Sequence, residues 1–243
     1  MNIPNRYNNY FYCVKTSTFS TELPDTSHAM DEPDGLLAIG GDLSTRHLLT
    51  AYKNGIFPWF ANNDPILWWS PNERSVLRPQ ELRVSKTLAK TIKKNLYTIS
   101  YNKSFEAVIT KCATVNGRSG SSWITEKMRI AYIELSRLGY AHSVECWYEN
   151  NLCGGLYGIA LGEVFFGESM FSTKKDASKV ALADLCERLV DWGYKIVDCQ
   201  IHSSHLQTMG AKKIDRKQFE HLLLKHIDQK ASNSAWQTGQ IWN

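Results

Sequence analysis

The 243-residue sequence lacks several features that would assign it to a familiar class of protein. No apolar run approaches the ~20 residues of a membrane-spanning helix, and no basic stretch followed by an apolar core opens the chain. The six cysteines form no C-x-x-C pair, which favours reduced, buried thiols over a disulfide framework. These absences predict a cytoplasmic protein with no membrane contact.

Sequence motifs for nucleotide loops, covalent catalysis and metal binding are also missing. Gly40-Gly41 precedes a predicted helix, but G-x-x-x-x-G-K-[ST] and G-x-G-x-x-G do not occur. Neither Ser143 nor Ser169 lies in a G-x-S-x-G turn, which disfavours a serine nucleophile. The C-x-x-H-x-x-H spacing at 199–205 would have to coordinate a metal across a strand-to-helix change, with no fourth ligand nearby. We therefore expect neither a metal nor a cofactor.

The composition is that of an ordinary globular enzyme, with 43% hydrophobic and 21% charged residues. A net charge of +4 permits a polyanionic partner without requiring one. An aromatic-rich segment ends at Ser70-Pro71-Asn72, which we interpret as a domain boundary. The sequence thus predicts an N-terminal domain of residues 1–71, whose first 27 residues form a poorly specified extension, and a second domain of residues 72–243.

Periodicity predicts an α+β arrangement in the second domain. From Glu126 onward the predicted order is α-β-β-β-α-β-α, that is, a meander, a crossover helix and a further strand in a mixed, mainly antiparallel sheet. In the N-terminal domain we predict a strand at 10–14 and a helix that Ser44 caps and Gly55 ends. A last helix opens near residue 215, and the chain after it is expected to be loose.

Three polar residues stand in two predicted neighbouring strands of this sheet. Glu168 interrupts an apolar strand, and Asp198 and Gln200 are two apart on the next strand, which predicts a shared face. A buried carboxylate must be paired, protonated or in use. Carboxylates bind and orient an ammonium, and an amide both donates and accepts, so the group suits an amine substrate. A structural hydrogen-bond network explains the same residues equally well.

Apolar residues close to this polar group would line a pocket beside it. These residues are Leu156, Tyr157, Phe165 and Phe171. The aromatic residues between 56 and 71 are interpreted either as core or as a platform on which bases stack, with core favoured.

A basic helix is predicted between Val84 and Asn95, with Ser85 as its N-cap. One face carries an apolar stripe of Leu88, Ala89, Ile92 and Leu96. The other face carries four lysines without an interleaved acid, namely Lys86, Lys90, Lys93 and Lys94. They form either a solvated face or a contact with nucleic-acid phosphates.

Nine stretches of the chain, spread in order over residues 31 to about 220, together resemble a known family. They are Glu32-Pro33-Asp34-Gly35-Leu36-Leu37-Ala38-Ile39-Gly40-Gly41-Asp42-Leu43, Gly55-Ile56-Phe57-Pro58-Trp59-Phe60, Leu67-Trp68-Trp69-Ser70-Pro71, Trp123-Ile124-Thr125, Ala141-His142-Ser143-Val144-Glu145, Gly154-Gly155-Leu156-Tyr157-Gly158, Gly167-Glu168-Ser169-Met170-Phe171-Ser172, Ala177-Ser178-Lys179 and Asp198-Cys199-Gln200. The family is that of the bacterial leucyl/phenylalanyl-tRNA–protein transferases. Leu135-Ser136 departs from its pattern, which usually has Leu-His, and Leu156 stands where some relatives carry Met.

The resemblance implies a small N-terminal α/β domain and a C-terminal acetyltransferase-like (GNAT-like) domain. It also implies transfer of Leu or Phe, and less well Met, from aminoacyl-tRNA to the N-terminal Arg or Lys of a protein. The product would be a degradation signal of the N-end rule. Transfer would proceed by direct aminolysis of the ester, without a covalent enzyme intermediate, in a monomeric enzyme without a cofactor.

The resemblance also implies roles for residues at matching positions. Asp198 and Gln200 would form the catalytic pair. Glu168 would contact the acceptor or the aminoacyl end, and Trp59 and Trp123 would hold the 3′ adenosine. Two rival hypotheses are an acyl-CoA-dependent N-acyltransferase and a non-catalytic RNA-binding module. The first requires a glycine-containing pyrophosphate loop that residues 171–179 lack, and the second leaves the polar group without a role.

Overall fold

The computed structural model describes residues 3–4, 10–14, 22–115, 122–237 and 241–242. Most of the predicted N-terminal extension therefore lies outside the described residues. Within the described ranges, no helix combines the length and apolarity that crossing a bilayer demands. All six cysteines fall in these ranges as free thiols, four of them buried.

A mixed sheet of five short strands occupies the N-terminal part of the chain. Its strands are β1 (Ile3–Pro4), β2 (Tyr10–Val14), β3 (Leu36–Gly40), β4 (Phe57–Pro58) and β5 (Leu67–Trp69). They lie in the order β1-β2-β3-β5-β4, and only the β2–β3 pairing in this sheet is parallel. Helix α1 (Thr45–Lys53) follows β3, with the Ser44 side chain accepting from the His47 backbone N–H. The predicted strand at 10–14 and the predicted cap are thus confirmed.

A second sheet contains eight described strands. They are β6 (Glu73–Leu77), β7 (Thr98–Tyr101), β8 (Ala141–Tyr148), β9 (Asn151–Leu161), β10 (Val164–Ser172), β11 (Ile196–Gln200), β12 (Lys212–Asp215) and β13 (Ile241–Trp242). Their order is β12-β6-β11-β10-β9-β8-β7-β13, with a parallel pairing between β10 and β11 and antiparallel pairings elsewhere. The predicted α+β class with a mixed, mainly antiparallel sheet is confirmed. Strands β6, β7, β12 and β13 were not predicted.

In the part of the chain that the structure describes, six helices pack against this sheet or connect its strands. They are α2 (Lys86–Lys93), α3 (Phe105–Thr114), α4 (Glu126–Arg137), α5 (Ala177–Asp191), α6 (Ser204–Thr208) and α7 (Arg216–His226). The predicted order α-β-β-β-α-β-α from Glu126 is confirmed. Of the predicted apolar stripe of α2, Leu88 is buried, whereas Ile92 and Leu96 are 39% and 54% exposed. The helix has only two turns, and Leu96 lies beyond its end.

Apolar cores cover the two faces of the large sheet, and alternation along the strands supplies both. On β10, Phe166 belongs to the core that also contains Trp68 of the N-terminal sheet, whereas Phe165 belongs to the core under α5. Gly154 lets α5 approach β9, since a Cβ there would lie 2.6 Å from the Cβ of Ala177. One core is therefore continuous across residue 71, and the predicted domain boundary stays a prediction.

The C-terminal segment contributes to the second core through a tryptophan. The Trp236 indole stacks on the His142 imidazole with 4.2 Å between ring centroids, and it also stacks on Phe165 at 5.4 Å. Its Nε1–H donates to the Tyr194 hydroxyl at 2.7 Å. The expectation of a loose end is wrong for this part of the chain, because a buried aromatic side chain anchors it.

Candidate active site

Two β-bulges place the polar residues of the site. Strand β10 is irregular between Gly167 and Ser169 where it pairs with β9, and Glu168 is the extra residue. Strand β11 is irregular between Asp198 and Gln200 where it pairs with β6. Gln200 also has a φ of 59°, in the left-handed region that a side chain disfavours. The alternation that predicted a shared face for Asp198 and Gln200 is therefore interrupted, and bulges of this kind re-aim side chains at functional sites.

Glu168 is 8% exposed, and its carboxylate is surrounded by hydrogen-bond donors. Its Oε1 accepts from the Tyr52 hydroxyl and from the Gln200 Nε2, each at 2.8 Å, and its Oε2 accepts from the Tyr132 hydroxyl at 3.0 Å. The two tyrosine hydroxyls also contact each other. Burial raises the pKa of Glu168 to about 7, although the three hydrogen bonds oppose the shift. The group can therefore gain or lose a proton near neutral pH.

A buried ion pair lies directly behind Glu168. The Arg74 guanidinium donates to both carboxylate oxygens of Asp198, from Nε at 2.9 Å and from Nη2 at 2.7 Å, and both side chains are at most 1% exposed. Nη1 donates to the Gly55 carbonyl at 3.0 Å. The guanidinium also lies over the rings of Phe57 and Phe219, 4.7 and 4.5 Å from their centroids. This bidentate pairing compensates the desolvation of both charges.

Asp198 connects the ion pair to Gln200. Its Oδ1 accepts from the Gln200 backbone N–H at 2.8 Å, which holds Gln200 in its left-handed conformation. The Gln200 side chain in turn donates to Glu168. A continuous series of hydrogen bonds thus runs from Arg74 through Asp198 and Gln200 to Glu168.

A cavity of about 580 Å³ opens beside this series. Glu168 and Gln200 line it, whereas Asp198 does not. The geometry therefore lets Asp198 position Gln200 but not contact a ligand in the cavity. The structure brings all six predicted substrate-binding residues to the lining of this cavity, namely Trp59, Trp123, Leu156, Tyr157, Phe165 and Phe171. Their roles stay predictions, but the single shared cavity is a property of the fold.

The aromatic segment of the N-terminal sheet divides between core and cavity. Phe57 and Trp68 are buried, as the core interpretation predicts. Trp59 is 39% exposed at the cavity, and its ring meets that of Trp69 edge-on at 5.5 Å between centroids. One exposed indole is therefore available for stacking on a ligand.

The predicted phosphate-contacting lysines lie on α2, outside the cavity wall. The four are exposed, with Lys94 just past the last helical residue. Thr91 of the same helix donates to Asp176 at 3.3 Å, and Asp176 precedes α5, whose Ser178 lines the cavity. The basic face is thus one helix away from the cavity, and its contact with phosphates stays a prediction.

The C-x-x-H-x-x-H residues also border the cavity. Cys199, His202 and His205 all line it, yet the described residues hold no group of three or more potential ligands arranged for a metal ion. Burial raises the pKa of the Cys199 thiol, so this cysteine is a poor thiolate nucleophile.

Comparison with known proteins identifies the family. A family model described as "Leucyl/phenylalanyl-tRNA protein transferase" matches residues 76–224, and its N-terminal domain model matches residues 41–72. The chain belongs to the leucyl/phenylalanyl-tRNA–protein transferase family. The sequence-based identification is confirmed, and the first of these ranges contains Glu168, Asp198 and Gln200.

Curated members of this family resemble the chain over most of its length. A leucyl/phenylalanyl-tRNA–protein transferase from Pseudomonas syringae pv. syringae is 46% identical over 222 residues, which cover 91% of this chain and 96% of that protein. One from Syntrophobacter fumaroxidans is 51% identical over 207 residues, covering 85% and 88%. One from Nitrosomonas eutropha is 48% identical over 229 residues, covering 94% and 98%.

Solved structures are similar only at a distance. The L-PGS structure from Bacillus licheniformis has a TM-score of 0.38 at 9% identity, covering 69% of this chain and 53% of that one. A GCN5-related N-acetyltransferase from Kribbella flavida has a TM-score of 0.35 at 9% identity, covering 66% and 57%. These scores are too low to support an inference about function.

Sequence reasoning missed three residues of this candidate site. Tyr52 and Tyr132 were assigned to helices, but their hydroxyl partner lies on a distant strand. The only signal that could have found these two tyrosines is the general need of a buried tyrosine hydroxyl for a hydrogen-bond partner. Arg74 pairs with a residue 124 positions later in the chain, on a strand that was not predicted.

Proposed function

We propose that the chain transfers Leu or Phe, and less well Met, from aminoacyl-tRNA to the N-terminal Arg or Lys of a protein, which creates a degradation signal. One observation carries the proposal. An amide and a carboxylate, Gln200 and Glu168, border the same cavity as the exposed indole of Trp59 and an apolar wall. Membership of the transferase family supports the same activity.

The apolar part of the cavity would hold the aminoacyl side chain. Leu156, Phe165 and Phe171 offer a wall that excludes polar side chains and accommodates branched or aromatic ones. Discrimination by such a wall amounts to about 1–3 kcal/mol per methylene, which fits a preference for several apolar residues rather than one. Trp59 and Trp123 would stack on the terminal adenine, a contact worth about 1–3 kcal/mol per base.

The polar part would hold the acceptor amine. Because the Gln200 Nε2 is engaged by Glu168, the amide oxygen of Gln200 is the atom left to accept a hydrogen bond from the amine. The donor ester is already activated, so the main contribution is to hold amine and carbonyl in attack geometry. Direct aminolysis also agrees with a protonated Cys199, which disfavours a thioester intermediate.

Incubation with Leu-tRNA and an Arg-initiated peptide tests the proposal. We expect the peptide to gain the mass of one leucyl residue, whereas a Glu-initiated peptide of the same sequence should stay unmodified. Acetylation of the Arg-initiated peptide from acetyl-CoA would instead support the acyl-CoA-dependent rival. Binding of Leu-tRNA without a product would support a non-catalytic RNA-binding module.

We further propose that the protein is a cytoplasmic monomer, divided into domains at residue 71. The proposed donor is a cytoplasmic molecule, and the change from one sheet to the other falls between Trp69 and Glu73. A molecular mass of 27.7 kDa in solution supports the monomer, and about twice that value would contradict it.

A further inference from the structure

The Glu168 carboxyl and two tyrosine hydroxyls, which come from three different elements, form a closed ring of contacts. Tyr52 on α1 contacts Glu168 Oε1, Tyr132 on α4 contacts Glu168 Oε2, and the two tyrosine oxygens contact each other. All three side chains are buried, and both tyrosines have 0% exposure. Each of the three groups is therefore within hydrogen-bond distance of the other two, and the two tyrosines are closed off from solvent.

The protonation state of Glu168 decides which hydrogen bonds form within this ring. When Glu168 is ionised, the two tyrosines donate one hydrogen each to the carboxylate, and the contact between the tyrosine oxygens holds none. When Glu168 is protonated, its O–H donates to Tyr132, Tyr132 donates to Tyr52, and Tyr52 donates to the other carboxyl oxygen. Addition of the proton and rotation of the Tyr132 hydroxyl change one arrangement into the other, and no hydrogen loses its acceptor in either.

A carboxyl group that stays fully bonded in both states can take up a proton without the cost of a buried unsatisfied group. We propose that Glu168 accepts the proton of the acceptor's α-ammonium, and that Tyr52 and Tyr132 are the positioning residues that keep it bonded before and after. The proposal rests on the proposed function, because it names the proton acceptor of that reaction. Glu168 lines the cavity, so the ammonium can reach it.

The groups that face Glu168 leave it as the proton acceptor. Asp198 is paired bidentately with Arg74, and the ring of Tyr157 packs on Tyr132 with 5.8 Å between centroids. His202 and His205 line the same cavity farther along the chain. Burial raises the pKa of Glu168 to about 7, close to the value of about 7.7–8 for an α-amino group. The two values allow the proton to move from one group to the other.

Every proton of the acceptor's ammonium that is displaced in the reaction has an acceptor. The ammonium gives one proton to Glu168, and the neutral amine attacks the ester carbonyl, which forms the C–N bond. Collapse of the intermediate breaks the bond between the carbonyl carbon and the ribose oxygen, and the second proton of the nitrogen goes to that oxygen. The products are an amide, a ribose hydroxyl and one proton on Glu168, which solvent then removes.

The pH profile of kcat/KM for the acceptor peptide tests this assignment. With saturating Leu-tRNA, and with ester hydrolysis subtracted, we expect a bell shape, because the reaction then requires ionised Glu168 and a protonated amine. The acid limb lies near pH 7 and the alkaline limb near the pKa of the acceptor amine. Glu168→Gln should remove the acid limb and lower kcat by about 10²-fold or more.

The tyrosine variants test whether Tyr52 and Tyr132 act through Glu168, because a merely structural role would not shift the acid limb of the pH profile. Tyr132→Phe and Tyr52→Phe each remove a donor to the ionised carboxylate and should move the acid limb to higher pH, by roughly half to one unit. Tyr101→Phe is the matched control, because it removes a tyrosine hydroxyl that donates to Asp184 away from the cavity. It should leave the limb where it is.

Two outcomes overturn the inference. One is a wild-type profile that rises through a single pKa near that of the amine and stays high, and the other is an acid limb that Glu168→Gln leaves in place. Failure of the proposed function is a different result, since the wild-type protein would then form no leucylated peptide at any pH. Thermal unfolding and Leu-tRNA binding, measured for each variant, separate a change in the site from a failure to fold.

Discussion

The buried pair between Arg74 and Asp198 can be removed in ways that separate stability from catalysis. Arg74→Met leaves a buried carboxylate without its counter-ion, and breaking such a pair from one side costs about 3–5 kcal/mol. The double variant Arg74→Met/Asp198→Leu replaces both charges with apolar groups. Because the desolvation penalty of both ions disappears with their attraction, we expect its free energy of unfolding to return to within about 1–2 kcal/mol of the wild-type value.

The kcat of the same double variant should nevertheless stay below the wild-type value. Leucine cannot accept from the Gln200 backbone N–H, which donates to Asp198 at 2.8 Å. A hydrogen bond to a charged group contributes about 1.5–3 kcal/mol, which corresponds to roughly 10- to 150-fold. We therefore expect kcat to fall by this factor, while the KM for Leu-tRNA stays unchanged.

Urea unfolding and initial rates at saturating Leu-tRNA measure the two effects. The surface arginine Arg129, which pairs with Glu106 and Glu126 at 2.8 Å each, is the control. Arg129→Met should change neither stability nor rate appreciably, because exposed pairs contribute little. A double variant that regains both stability and kcat would refute the reasoning, since Asp198 would then matter only as the partner of Arg74.

Three further predictions address the cavity and the basic helix. Gln200→Ala should lower kcat at least tenfold with an unchanged Kd for Leu-tRNA, whereas equal losses in both would contradict its role at the amine. Leu156→Ala should shift the ratio of kcat/KM values from Leu-tRNA towards Phe-tRNA by about 1–3 kcal/mol per methylene, and an unchanged ratio would place the side chain elsewhere. Replacing Lys86, Lys90, Lys93 and Lys94 with Glu should flatten the plot of log K against log salt by about 0.9 per lost phosphate contact. An unchanged slope would exclude that face from the tRNA interface.

Local signals in the sequence predicted most of the second half of the chain. The predicted meander contains β8 and β9, and Glu149 and Asn150, which connect these strands, adopt positive φ values, as a tight hairpin requires. A misplaced carboxylate in an apolar run correctly singled out Glu168 as a buried polar group. These features depend on residues close together in the chain.

The remaining features depend on contacts between distant segments. Strand β6 pairs with β11 and β12, more than a hundred residues later, and its alternation is obscured because Arg74 is buried as an ion. Trp236 was not assigned to the core because its partners, such as His142, come from strands far from it in sequence. The bulge that re-aims Gln200 likewise follows from pairing with β6, which no local pattern reveals.

A structure with a non-hydrolysable leucyl-adenosine analogue, amide-linked in place of the ester, tests most directly whether the 580 Å³ cavity is the transfer site. We predict that the leucyl side chain contacts Phe165 and Phe171, that the adenine stacks on Trp59, and that the carbonyl lies beside Gln200. Binding of the analogue at the second cavity, between residues 22–26 and α7, would contradict this prediction. So would a pose that leaves Glu168 and Gln200 without contact to it.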